Sequence, residues 1–420
     1  MTLVDFFSPP RLGTAANLDS AVWPGDARYD VDGRIVVGDV ALADIADTYG
    51  TAVRVLDERE VRQRCRAYRK TFPEFEIGYA AAALPIGAVA DLVTGEGLAL
   101  VVCSSDGLAT ALTAGVDPKR IILHGTGLSR DTLQAAVTRG VGRIVLGSPA
   151  EIDLLATVAT RPQRVLLRVS PGIEQDLPRQ AIGFPLDEVA AAVARVLGAP
   201  LLELIGFHCH LGSQIYNPDH YGEAIRRLVA EMAQVRREHD RILTDLDLGG
   251  GHAVAYRSGD AEMNLPELSA ITEDALDAAC ARQHFPRPNV ALEPGRGIVA
   301  RAGVTLYRVL SVKQNDGGHA SVVIDSAARG RTGDCAGMVV ANRRATGPQL
   351  SATVAGRAGD VILATDVRLP ADLRAGELLA VPCTGAYQPG ATRPPVIAVR
   401  DGHYTQLVAR EPNLLDRDAS

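Results

Sequence analysis

The runs LIGFHCHLG (204–212), DLDLGGG (245–251) and NVALEPG (289–295) decide the fold. Each is a short, almost continuous apolar stretch that stops abruptly at glycine, histidine or a charged residue. Strands buried on both faces look like this, as they are in parallel sheets covered by helices. Further runs of the same kind precede them: AVRVL (52–56), FEIGYAAA (75–82), LALVVC (98–103), RIILHG (120–125), RIVLG (143–147) and RVLLRVS (164–170). Between the runs lie Ala- and Leu-rich stretches such as 187–200 and 220–240, whose apolar residues recur at three and four and which end near Gly or Pro. About eight such strand–helix units close a (β/α)8 barrel, so an α/β fold is expected over residues 49–303.

After Val304 the pattern changes to shorter alternating segments, including 305–314, 319–327, 361–370, 376–383 and 395–411. These read as antiparallel strands, predicting a second, all-β sandwich or barrel domain over 304–420. The segment RYDVDGRIVV (28–37) reads as two strands about a turn at Asp32-Gly33, so residues 1–48 are expected to join that β-domain.

At 420 residues, with 47% hydrophobic and 22% charged residues, the chain can bury a large core and is not disordered. A net charge of −7 and no long Lys/Arg run exclude a polyanion-binding footprint, so nucleic acid is not an expected partner. The opening MTLVDFFSPPRLG lacks a basic start followed by an apolar run, and no stretch reads as a membrane span, which points to a cytoplasmic protein. Cysteines 65, 103, 209, 280, 335 and 383 show no metal-ligand spacing, and no metal site is expected.

In a barrel the chemistry sits at the carboxyl ends of the strands. Gly249, Gly250 and Gly251 follow a strand and let backbone N–H groups approach an anion, although a tight turn needs the same residues. Glu293, Gly295 and Arg296 set a carboxylate and a guanidinium about a fixed turn, which a surface ion pair would also explain. His208 and His210 share one face of a strand ahead of Gly212-Ser213-Gln214, a pairing that argues for a site more than a lone histidine would. Tyr387, in GAYQ (385–388), is either a site residue or a half-buried tyrosine at a domain contact.

Taken in order, GFHCHLGSQI, LDLGGG, EPGRGIVARAGV and CTGAY resemble the diaminopimelate and ornithine decarboxylases, pyridoxal phosphate enzymes of the alanine-racemase-like class. The resemblance implies that His210 stacks on the cofactor ring, that Ser213, Gly251, Gly295 and Arg296 hold the phosphate, and that Glu293 pairs with the ring nitrogen. It also implies that Tyr387 reaches the phosphate from a partner subunit in a head-to-tail homodimer, and that Arg168 lies behind the cofactor. Gly249 and Gly250 belong to the same cradle.

The chain departs from the family pattern at its reactive positions. Where the family has Tyr-Ala-x-Lys-Ala, whose lysine binds the cofactor covalently, this chain reads Tyr79-Ala80-Ala81-Ala82-Ala83. Val101 and Ser104-Ser105-Asp106-Gly107-Leu108 stand where the family carries two carboxylates, and Leu128 replaces a lysine after His124-Gly125. The family's Cys-Glu-Ser-Gly-Asp loop survives only as residues 356–360. The implied protein binds pyridoxal phosphate non-covalently and acts on an amino-acid-derived substrate with altered chemistry and little ordinary decarboxylation. His210, Glu293, Asp106 and Cys335 are the titratable candidates, and Arg329 or Arg331 would contact substrate or equally be a solvated loop charge. The alternatives are a non-catalytic regulatory subunit, or a decarboxylase carrying an engineered Lys-to-Ala change at 82.

Overall fold

The computed structural model describes residues 18–173, 182–315, 318–326, 337–357, 361–387 and 394–409. The chain divides into two compact units. One comprises Val61–Val254 with Ala261–Ala300; the other comprises Met1–Glu60, Ala255–Asp260 and Arg301–Ser420.

The first unit is the expected barrel. Its strands are β1 (Glu76–Ala80), β2 (Ala99–Val102), β3 (Ile121–Leu123), β4 (Arg143–Leu146), β5 (Gln163–Ser170), β6 (Leu202–His208), β7 (Asp245–Asp247) and β8 (Asn289–Leu292). Each pairs in parallel with its sequence neighbour, and β8 closes onto β1 with Leu292 opposite Ile77. Val101, Ile122, Val145 and Leu166, from β2 to β5, fill part of the interior. Gly78 on β1 makes room for them, since a Cβ there would lie 2.9 Å from Val101 Cγ2.

The helices between strands start where the sequence supplies caps. Ser129 Oγ accepts from Thr132 N ahead of helix Arg130–Arg139, which ends at left-handed Gly140. Ser148 caps Pro149–Val158 and Asn264 caps Leu265–Gln283 in the same way. The long helix Asp219–His239 buries Tyr221, Ile225, Leu228 and Met232, a three-and-four spacing that explains why it forms as one piece.

The second unit is a mixed sheet. In order it contains Ile362–Pro370, Gln349–Ala355, His319–Ile324, Gly303–Gln314, Val53–Asp57, Val396–Arg400 and His403–Val408. Two expectations are corrected here. Two of its pairings are parallel, so the domain is not purely antiparallel. The run at 52–56 is not a barrel strand: Val53–Asp57 lies between Gly303–Gln314 and Val396–Arg400. All five of its residues are buried, which is why its pattern looks like that of a barrel strand. Consequently the chain passes from this unit to the barrel after Glu60 rather than at residue 49. Strands Arg28–Tyr29, Ile35–Val37 and Val40–Ala41 form their own small sheet, whose Ile35, Val37 and Val40 share a core with Val304, Leu306 and Leu378.

Candidate functional site

The carboxyl ends of the barrel strands bring five polar side chains together. His124 follows β3, Arg168 lies on β5, His208 ends β6, Asp247 ends β7 and Glu293 follows β8. Glu293 is buried, with His124 Nε2 at 3.2 Å and His208 Nε2 at 3.5 Å from its Oε2. Two buried carboxylates cannot both ionise cheaply, and their surroundings separate them. Burial pushes the Asp247 carboxyl well above the usual range, and the neighbouring Glu293 adds to the rise. Burial alone would raise Glu293 as well, but His124 and His208 outweigh it and hold Glu293 well below its ordinary value. The two shifts run in opposite directions, which biases the shared charge towards Glu293.

Glu293 Oε1 is buried without a hydrogen-bond partner. A buried anionic oxygen left this way costs free energy that a donor would recover, so the arrangement is suited to a cationic or N–H-bearing ligand. His124, His208 and Glu293 also place ligand atoms within 4.8 Å of one another.

The glycine loop beside this cluster is held by its carbonyls. Gly249 O accepts from Glu293 N at 2.7 Å and Gly251 O from Ile215 N at 2.9 Å. Gly250 O accepts from the buried Tyr221 hydroxyl at 2.7 Å. A Cβ at 249, 250 or 251 would come within 2.4 Å, 2.1 Å and 2.2 Å of the backbone oxygens of Cys209, Glu293 and Gly212. Close backbone contact thus demands glycine at all three positions whatever the loop binds. With those carbonyls engaged, the N–H groups of Gly250, Gly251 and Gly295 have no acceptor among the described residues. Arg296 Nη2 donates to Ser213 Oγ at 2.6 Å, joining the loops after β6 and β8. Unpartnered backbone N–H groups beside a guanidinium and a hydroxyl form a nest for an anion such as a phosphate. The chemistry of the donor set therefore fits a phosphorylated cofactor with a protonatable ring nitrogen.

Tyr221→Phe leaves the buried Gly250 carbonyl short of a donor. It is expected to cost about 1–2 kcal/mol of stability, read by urea unfolding. Full stability in this variant would show that the hydroxyl does not hold the loop.

Other expected residues fall as follows. His210 is open to solvent on one side at the barrel mouth, yet crowding by the protein and the Arg168 charge lower its pKa to about 4. Asp106 is exposed in the first turn of helix Ser105–Thr113, where an acid favours the helix terminus. Among the described residues it makes no hydrogen bond or ion pair to the cluster. Tyr387 belongs to the other unit and is exposed. Arg329, Arg331 and Cys335 lie outside the described residues, as do residues 358–360.

Ala82 is exposed in the 3-10 turn Ala81–Ala83 directly after β1. The whole chain carries only three lysines, Lys70, Lys119 and Lys313. Lys70 is in the last turn of helix Glu58–Thr71, Lys119 precedes β3 at its amino end, and Lys313 is in the β-unit strand Gly303–Gln314. None follows the carboxyl end of a barrel strand.

Sequence reasoning missed His124, Asp247, Tyr221, and a stacked pair formed by Tyr68 and His252. The Tyr68 hydroxyl and His252 Nδ1 are 2.9 Å apart with rings 10° from parallel, just behind the glycine loop. His124 and Asp247 were visible as polar residues ending apolar runs; Tyr68 and Tyr221 look like ordinary helix core.

Comparison with known proteins shows the family. Residues 58–300 match the family "Pyridoxal-dependent decarboxylase, pyridoxal binding domain". The chain is 40% identical to a diaminopimelate decarboxylase of Actinosynnema pretiosum, covering 98% of each, and 33% identical to that of Corynebacterium efficiens, covering 94% and 93%. Among solved structures, diaminopimelate decarboxylase of M. jannaschii in complex with L-lysine superposes with a TM-score of 0.85 at 21% identity, covering 93% and 96%. With a closed parallel barrel, a mixed β-unit and an anion nest at the strand ends, this chain belongs to the pyridoxal-dependent decarboxylase family.

Proposed function

We propose that this protein binds pyridoxal phosphate without a covalent bond and uses it for altered chemistry on an amino-acid-derived substrate, with little ordinary decarboxylation. The observation that carries the reading is the contrast between an intact anion nest beside the anionic Glu293 and strand ends that bear no lysine.

Bound cofactor would supply an electron sink for charge developing at the substrate α-carbon. The chain's own residues would do the holding. Gly250, Gly251 and Gly295 N–H groups, Ser213 and Arg296 would bind the phosphate, with Gly249 shaping the loop. Glu293, kept ionised by His124 and His208, would hold a proton on the ring nitrogen. His210, kept neutral by its surroundings, would lie against the ring face. Position 82 offers no amine to capture the aldehyde and no base to return a proton. Tyr387 would complete the phosphate site from a second copy of the chain, and a dimer by light scattering is expected.

Binding without turnover is a second reading, which the absence of a strand-end lysine also favours. Cα–H exchange of amino acids in D2O separates the two: exchange above that of free cofactor supports chemistry, and its absence in cofactor-loaded protein supports a binding role.

Cofactor added to the purified protein should give the spectrum of a bound aldehyde and be removed by dialysis after borohydride treatment, leaving the chain mass unchanged. A borohydride-fixed adduct, or no binding at all, defeats the proposal. Among the described residues no helix is long and apolar enough to cross a membrane.

A further inference from the structure

A cavity of about 340 Å³ opens beside the strand-end cluster, at the carboxyl ends of β3, β4 and β5. Its wall is largely apolar, formed by Leu128, Val145, Ala150, Leu154 and Ile182. The polar groups that reach it are mostly occupied elsewhere. Glu151 lies at the third position of its helix, where it could close a capping box, but it turns away. Its Oε1 accepts from Gly127 N at 3.0 Å and its Oε2 from Gly147 N at 2.7 Å, tying together the loops after β3 and β4. Ser148 Oγ caps the same helix by accepting from Glu151 N. His124 is bonded to Glu293.

Arg168 is the exception. It lines the cavity, it is half-buried, and its guanidinium makes no hydrogen bond or ion pair among the described residues. Burial pulls its pKa down, and the nearby acidic groups, Glu293 foremost, offset this only in part. A cation drawn out of water without a matched partner is costly, and an anion seated against it recovers that cost. The volume lies in the range of small-molecule sites, and the wall rewards an apolar body.

We propose that this cavity binds a monocarboxylate with an apolar chain or ring, its carboxylate on Arg168 and its body against Leu128 and Leu154. A ligand with a second, positively charged centre would find no free counter-charge among the described residues that line it, because both Glu151 oxygens are engaged. The inference goes beyond cofactor binding, since it needs neither the phosphate nest nor a bound cofactor.

The test is calorimetric titration of the cofactor-free chain with straight-chain carboxylates from acetate to octanoate, with hexanol, hexylamine and diaminopimelate as comparisons. Affinity is expected to rise about fourfold per added methylene until the cavity fills. Hexanoate should bind at least about tenfold more tightly than hexylamine or diaminopimelate. Arg168→Gln should erase the preference for hexanoate over hexanol while leaving hexanol binding unchanged. Amine or diaminopimelate binding as tight as that of hexanoate overturns the proposal, as does a flat chain-length series. The wild-type series decides the matter even if the variant does not fold. A spectral titration with pyridoxal phosphate runs in parallel: cofactor binding without carboxylate binding sinks this inference alone, and the reverse result sinks only the proposed function.

Discussion

Ala82→Lys is expected to turn reversible cofactor binding into covalent capture. Ala82 stands in a 3-10 turn directly after β1, at the rim that carries His124, His208 and Glu293, and it is exposed. A longer side chain there displaces no core residue, so the substitution should cost little stability. The variant would place an amine at a strand end where the natural chain has none. With the nest holding the phosphate and Glu293 the ring nitrogen, the aldehyde would be presented to that amine at high effective concentration. Borohydride should then fix about one cofactor per chain, against none in the parent, as read by intact mass. On the proposed function the variant should decarboxylate amino acids poorly, because Ala82→Lys adds an amine and leaves every other strand-end residue as it is. A cofactor-saturated variant that borohydride does not label would show that position 82 does not face the aldehyde.

What the sequence disclosed depended on how local each signal was. Most of the eight barrel strands were legible because their centres are buried and they stop at a polar or glycine residue, a pattern set within six or seven positions; Glu76–Ala80, which runs on into Ala81–Ala83, was legible by burial alone. Val53–Asp57 has the same pattern and sits in the other unit, because full burial says nothing about which sheet does the burying. The glycine triplet was legible as a close-approach loop, but not that Cys209, Glu293 and Gly212 backbone oxygens are what it approaches. Residues reaching the site from helices were hidden. Tyr68 and Tyr221 occupy core positions of Glu58–Thr71 and Asp219–His239, and only the tertiary structure shows that their hydroxyls meet His252 and Gly250. Charge partition was hidden too, since nothing local to Asp247 or Glu293 says which of them keeps the proton.

His252 makes the stability of this layer depend on pH. It follows the glycine triplet, is 2% exposed, and has a pKa lowered from 6.5 to about 3, first by burial and then by the Arg64 and His210 charges. Because the folded pKa is depressed, the folded state refuses a proton that the unfolded chain accepts below 6.5. This contribution to stability is therefore whole above that pH and shrinks as pH falls, by about 1.4 kcal/mol per unit for one buried group. Other groups titrate in the same window with the opposite sign. Asp57, raised to about 7 by burial and by Asp26, is one of them, so the total slope does not isolate His252. A variant does. His252→Asn keeps a hydrogen-bonding group near the Tyr68 hydroxyl but removes the titrating ring. The stability difference between parent and variant is then expected to fall by about 1.6 kcal/mol between pH 6.5 and pH 5, measured by urea unfolding at each pH. Parallel pH profiles for the two proteins would mean that His252 binds its proton equally well folded and unfolded. The burial behind the glycine loop would then be looser than its geometry describes.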